Sequence, residues 1–111
     1  METTNAITAL AALAQETRLA IYRLLVQAGP GGLSVGKIGE PLGIAPSSLS
    51  FHLKELTHAG MVSSRQDGRF IIYSANFALM NDLIAYLTEN CCGGNVCSPT
   101  PVCVPGEATS K

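Results

Sequence analysis

Apolar positions in the first ninety residues recur at helical spacing and change period once. "NAITALAAL", from Asn5 to Leu13, is an alanine-rich helix former with Ile7, Leu10 and Leu13 three apart. In "ETRLAIYRLLVQAGPGG", Leu19, Tyr22 and Val26 join Ile21, Leu24 and Leu25 in a wide apolar face, and the glycines from Gly29 to Gly32 end the helix. A third helix is short: Val35, Ile38 and Leu42 keep the spacing, Ser34 can cap its start, and Gly43 suits the position after its end. Gly36, Gly39 and Pro41 lower its propensity, so packing has to hold it. Ile44-Ala45 then forms a tight turn. The fourth helix is the best marked, with Pro46 at its first position, Leu49, Leu53 and Leu56 on one face, and Gly60 as its stop. Short helix, turn and second helix in that order make a helix-turn-helix pattern.

After Gly60 the period falls to two. "MVSSRQDGRFIIYSA" has strand-forming residues on both sides of Asp67-Gly68, a dipeptide suited to a tight hairpin turn. The expectation is a two-stranded wing. Asn76 can cap a last helix, "FALMNDLIAYLTEN", with Met80, Leu83, Ile84 and Leu87 apolar. From Gly93 onward the chain is rich in Gly, Pro, Ser and Thr, the composition of an irregular tail.

With Leu49, Leu53 and Leu56 in the core, the opposite face of the fourth helix carries Ser47, Ser50, Phe51, Lys54 and His58, with Ser48 and His52 at its border. Small hydroxyl side chains near a helix N-terminus allow close approach to a DNA groove, and the terminus itself attracts phosphate. Phe51 either contacts a thymine methyl group or packs on a neighbouring helix. His52 reads as a packing histidine before it reads as a base contact. Arg65 and Arg69 flank the hairpin tip and Gln66 sits on it, within reach of adjacent phosphates or the minor groove.

Charge adds little. The whole chain carries −1, and from Ala45 to Ala75 three cations against two carboxylates leave +1. One such unit binds DNA feebly; a dimer doubles the contacts and matches a two-fold operator. The strongly apolar first and last helices are its expected surfaces. At 47% hydrophobic residues, the 111-residue chain is globular and of one-domain size. No apolar run is long enough to span a membrane, and the N-terminus lacks a basic, cleavable leader pattern, so a cytoplasmic protein is expected. No catalytic triad, P-loop or dinucleotide fingerprint appears; Ser50 and His52 are two apart on a helix and do not face each other. A non-enzyme without an organic cofactor is expected.

All four cysteines, Cys91, Cys92, Cys97 and Cys103, fall within thirteen residues. A disulfide framework would spread them through the fold; bunched in a tail, they favour a metal or metalloid site.

The segments "ALAQETRLAIYRLLVQAG", "LSVGKIGEPLGIAPSSLSFHLKELTHAGMV" and "RQDGRFIIYSA" together resemble the ArsR family of bacterial metalloregulatory repressors, over roughly residues 7 to 90. The resemblance implies a mainly α winged helix-turn-helix with a small β-hairpin, dimerised through its N- and C-terminal helices. It implies a recognition helix from Pro46 to Ala59 and a wing over Ser63–Tyr73. It also implies a repressor that leaves double-stranded operator DNA when an inducer binds. Residues 1–90 would be the DNA-binding and dimerisation domain, and residues 91–111 the inducer-binding segment and tail. The cysteine pair that some arsenic sensors of the family carry before the recognition helix is absent from "LSVGKIGEPLG". Instead "YLTENCC" and "GGNVC" resemble members whose site for trivalent arsenic lies at the end of the last helix; antimonite is a further candidate inducer for such thiols. Cys91 and Cys92 match the vicinal pair and Cys97 the third ligand, with Cys103 a rival for it.

The chemistry points the same way. Three thiols replace the hydroxyls of arsenite to give a neutral three-coordinate product, and soft sulfur prefers a soft acceptor. Four thiolates on zinc would leave net charge −2, which a helix C-terminus disfavours. Spacing alone leaves open a soft divalent metal (cadmium, lead or zinc), a thiol-oxidation switch, and a metal carrier that binds no DNA.

Overall fold

The computed structural model of the chain describes residues 1–94. Five helices, α1 (Thr3–Leu13), α2 (Glu16–Ala28), α3 (Val35–Leu42), α4 (Pro46–His58) and α5 (Phe77–Leu87), pack around a small antiparallel sheet. Its strands are β1 (Leu33–Ser34), β2 (Val62–Asp67) and β3 (Phe70–Ala75), in the order β1-β3-β2. The expected two-stranded wing is therefore a three-stranded sheet. Leu33 pairs with Tyr73 and Ser34 with Ile72, so two residues before α3 anchor the hairpin to the helical body.

The core is aliphatic. Ile21 and Leu25 of α2, Ile38 of α3, and Leu49, Leu53 and Leu56 of α4 are all buried to 1% exposure or less, as is Met61. Helix α3 forms despite its glycines because one of them is needed. A Cβ at Gly39 would lie 3.1 Å from a Leu49 methyl and 3.2 Å from the Ile44 carbonyl, so the glycine lets α3 and α4 approach closely. Ser34 stands at the N-cap of α3 but makes no side-chain cap bond.

Helix α4 ends as the position of Gly60 predicts. With φ +80 at Gly60, its N–H donates to the Thr57 carbonyl (3.0 Å) and the Met61 N–H to the Leu56 carbonyl (3.0 Å). Those two bonds are a Schellman closure, which turns the chain directly into β2. Asn76 ties the far end of the hairpin to the same corner. Its Oδ1 accepts from the Leu79 N–H (3.1 Å), capping α5, while its Nδ2 donates to the Gly60 carbonyl (2.9 Å).

Helix α1 buries its small residues and exposes two of its large ones. Its buried stripe is Ala6, Ala9 and Ala12, while Ile7 and Leu10 are 60% and 41% exposed. Small side chains let α1 sit close on α2, α4 and α5 and turn its bulky residues outward.

Candidate nucleic-acid interface and thiol site

Three buried leucines orient α4 and so decide what its other face presents. Ser47, Ser48, Ser50, Phe51, Lys54 and His58 are all exposed, and His52 is half-buried. Phe51 stands 56% exposed rather than packed into a neighbouring helix; its ring meets His52 edge-on, centroids 5.5 Å apart. The Nδ1 of His52 is buried without a hydrogen-bond partner among the described residues. No side chain caps the N-terminus of α4. Pro46 has no N–H, and those of Ser47 and Ser48 have no acceptor within the helix, since the first helical bond runs from Leu49 to Ala45. Free N–H groups, three serine hydroxyls and a lysine one turn further on form a surface suited to phosphate and base edges.

In the hairpin, Asp67 pairs with Phe70, which makes Gly68-Arg69 the two-residue turn, one position later than the expected Asp67-Gly68. Gly68 has φ +64 and Arg69 does not have positive φ, the pattern in which glycine takes the first turn position. Arg69 is thus at the tip itself. Gln66 lies in β2 opposite Ile71 rather than on the tip, and its Nε2 donates to the Gly68 carbonyl (3.2 Å). Arg65 lies further back, opposite Ile72, and its Nη2 donates to the Gly31 carbonyl (2.9 Å) in the loop after α2. Its pairing spans 34 residues, and nothing in local patterning signals it.

The thiol end is built on α5, which stops at Leu87 instead of continuing through Asn90. Thr88 Oγ1 donates back to the Ile84 carbonyl (2.8 Å). Asn90 (φ +57) and Cys92 (φ +55) are then both left-handed, an arrangement that for non-glycine residues holds strain of about 1–3 kcal/mol each. The resulting turn over Cys91–Gly94 exposes both cysteines and sets their sulfurs 3.7 Å apart. Two sulfurs bound to one tetrahedral metal at about 2.3 Å lie roughly 3.8 Å apart, close to this spacing. Cys92 is a free thiol, whereas Cys91 is disulfide-bonded. Cys91 and Cys92 stand four and five residues beyond the helix, and a helix dipole fades within its last turn, so it bears on them less than the sequence suggests. Among the described residues no group of three or more His, Cys, Asp or Glu side chains is placed to hold a metal ion. Cys97 and Cys103 lie outside the described residues. No helix among the described residues is long and apolar enough to cross a membrane.

A helix-turn-helix followed by an anchored β-hairpin defines the class of protein: a winged helix-turn-helix regulator. The helix-turn-helix domain family matches residues 13–65. Among relatives, the uncharacterized HTH-type transcriptional regulator YceK of Bacillus subtilis is 43% identical over 58 residues, which take in 52% of this chain and 57% of that one. The transcriptional repressor SdpR of the same organism is 34% identical over 68% of this chain and 81% of its own length. An ArsR-like transcriptional regulator from Rhodococcus sp. RHA1 superposes with a TM-score of 0.67 at 30% identity, over 76% of each chain. The chain belongs to the ArsR family of winged helix-turn-helix regulators.

Proposed function

We propose that the protein is a transcriptional repressor that binds operator DNA as a homodimer and releases it when trivalent arsenic or antimony binds its C-terminal thiols. The observation that carries the inducer half is the 3.7 Å approach of the Cys91 and Cys92 sulfurs in an exposed turn just past α5. Soft sulfur donors at this distance select a soft, thiophilic centre, and Cys97 supplies the third sulfur. All three must be thiols, so Cys91 has to be reduced before the site can form.

For DNA, Ser47, Ser48, Ser50, Phe51 and Lys54 of α4 enter the major groove, His52 and His58 border it, and Gln66 and Arg69 bring the wing to neighbouring phosphates. The exposed Ile7 and Leu10 of α1 and Leu87 of α5 support a dimer through these helices. Gathering three sulfurs onto one atom draws the chain after α5 back onto the helix end. That shifts α5 against the partner and changes the separation of the two recognition helices. Release then follows from the inducer's higher affinity for the state that does not fit the operator.

Fluorescence anisotropy of the reduced protein on duplex DNA from its own promoter region, titrated with arsenite, tests the reading. Release near stoichiometry is expected, lost in Cys91→Ser, Cys92→Ser and Cys97→Ser. Full response in the Cys91→Ser/Cys92→Ser double variant would exclude this site. A rival on the same fold is a thiol-oxidation switch, for which peroxide and not arsenite would release the DNA.

A further inference from the structure

Arg65 and Arg69 look equivalent as wing cations, yet the fold treats them differently. Arg65 is on β2, an edge strand; its cross-strand partner Ile72 is on the central strand, and Ile72 in turn pairs with Ser34 of β1, the other edge. Gly31, whose carbonyl accepts from Arg65 Nη2 at 2.9 Å, leads into that far strand. The Arg65 side chain therefore spans the sheet, away from the turn at its tip. The loop it meets lies hard against the same strand. At Gly32, φ is +75, and a Cβ there would come within 2.4 Å of the Tyr73 carbonyl oxygen and 2.9 Å of Ile72 Cγ2. Only glycine lets the loop settle this closely on the wing. Arg69, by contrast, sits at the exposed tip itself, where its side chain bonds to none of the described residues.

We propose that Arg65 is a positioning residue, which holds the wing at its working angle by bonding the Gly31 carbonyl, while Arg69 is the wing cation that meets the DNA backbone. This rests on the reading of the protein as a DNA binder. A brace of this kind lowers the freedom that the wing would otherwise lose on binding. Its removal weakens binding without removing a phosphate contact.

Two measurements on the full-length protein separate the roles. The first is the salt dependence of affinity for a mixed-sequence duplex, where each phosphate contact contributes a slope of about 0.9 in log K against log[salt]. Arg69→Ala removes one such contact from each protomer of the dimer and is expected to lower the slope by about twice that amount. Arg65→Gln and Gly32→Ala are expected to leave the slope within error of wild type and to weaken binding roughly two- to tenfold, the scale of one lost hydrogen bond. Gly32→Ala is informative because it loosens the loop without changing any charge.

The second measurement is amide hydrogen exchange of the DNA-free protein, which reports local opening. The Ser34 and Tyr73 amides are expected to exchange faster in both Arg65→Gln and Gly32→Ala. A slope lowered by one contact per protomer in Arg65→Gln would make Arg65 a phosphate ligand and overturn the assignment. Unchanged exchange in Arg65→Gln would overturn the brace, and an unchanged slope in Arg69→Ala would overturn the role of the tip. If Gly32→Ala does not fold, Arg65→Gln decides alone. If wild type binds no duplex, the functional reading fails, and hydrogen exchange still decides whether Arg65 braces the wing.

Discussion

Helices α1 and α4 each bury one stripe, but with opposite kinds of residue. Helix α4 buries Leu49, Leu53 and Leu56 and exposes serines, Phe51 and Lys54; α1 buries Ala6, Ala9 and Ala12 and exposes Ile7 and Leu10. Large apolar side chains turned inward make α4 a fixed platform, and its outer surface is left free for polar recognition. Small side chains turned inward bring α1 close to its neighbours, and its outer surface is left apolar. Single exposed apolar residues are ordinary on a protein surface. Ile7 and Leu10 gain meaning because they share a helix whose partner α5 also exposes Leu87.

The largest test of the contrast is truncation on the α4 side. Leu53 is 1% exposed in the centre of the core. Leu53→Ala is expected to destabilise the fold by about 2–5 kcal/mol, the transfer loss plus the cavity left behind. Thermal or urea denaturation followed by circular dichroism measures it. A loss under about 1 kcal/mol would mean that α4 is not the platform described.

On the α1 side the same kind of experiment should reach assembly instead of folding. Ile7→Lys with Leu10→Lys changes two exposed positions, and surface substitutions usually stay within about 0.5 kcal/mol of neutral. The prediction is a folded chain with unchanged helical content that sediments as a monomer, and with it weakened operator binding. A double variant that remained dimeric in analytical ultracentrifugation would move the interface away from this face.

The same contrast explains how much of the fold is legible in the amino-acid pattern. Periodicity locates α4 well because its buried residues are large, and Pro46 and Gly60 mark its ends by backbone rules that hold in almost any context. It leaves the buried face of α1 undecided, since alanine gives a hydrophobic pattern no sharp sides. Strand β1 escapes altogether, because two residues cannot show an alternation and Leu33 finds Tyr73 only through the tertiary fold. The Arg65 bond to Gly31 is hidden for the same reason. At the thiol end, the pairing of Cys91 with Cys92 is plain from adjacency, whereas the left-handed Asn90 and Cys92 that expose the two sulfurs are not. Helix propensity alone would have carried α5 past Leu87.

Helix α2 refines the contrast at a single atom. Its buried face includes Tyr22, 5% exposed, whose hydroxyl is buried with no hydrogen-bond partner among the described residues. Burial pushes the phenol from its ordinary value of 10.0 up to about 12, because the phenolate would have to exist without water around it. The neutral form is therefore favoured in the folded state. Its contribution to stability is full below pH 10, where the unfolded chain also keeps the proton. It is lost as pH rises from 10 toward 12, where the unfolded tyrosine has ionised and the folded one has not. Tyr22→Phe removes that pH dependence together with an unpartnered polar atom. Near pH 7 the change is expected to be neutral or mildly stabilising, within about 1 kcal/mol, since the ring stays and an unmet hydrogen-bonding group goes. Urea denaturation at about pH 7 and about pH 11 separates the outcomes. If Tyr22→Phe destabilises the protein by about 2 kcal/mol or more near neutral pH, the hydroxyl has a partner such as an ordered water, and the core of α2 is not the uniformly apolar face that α4 buries.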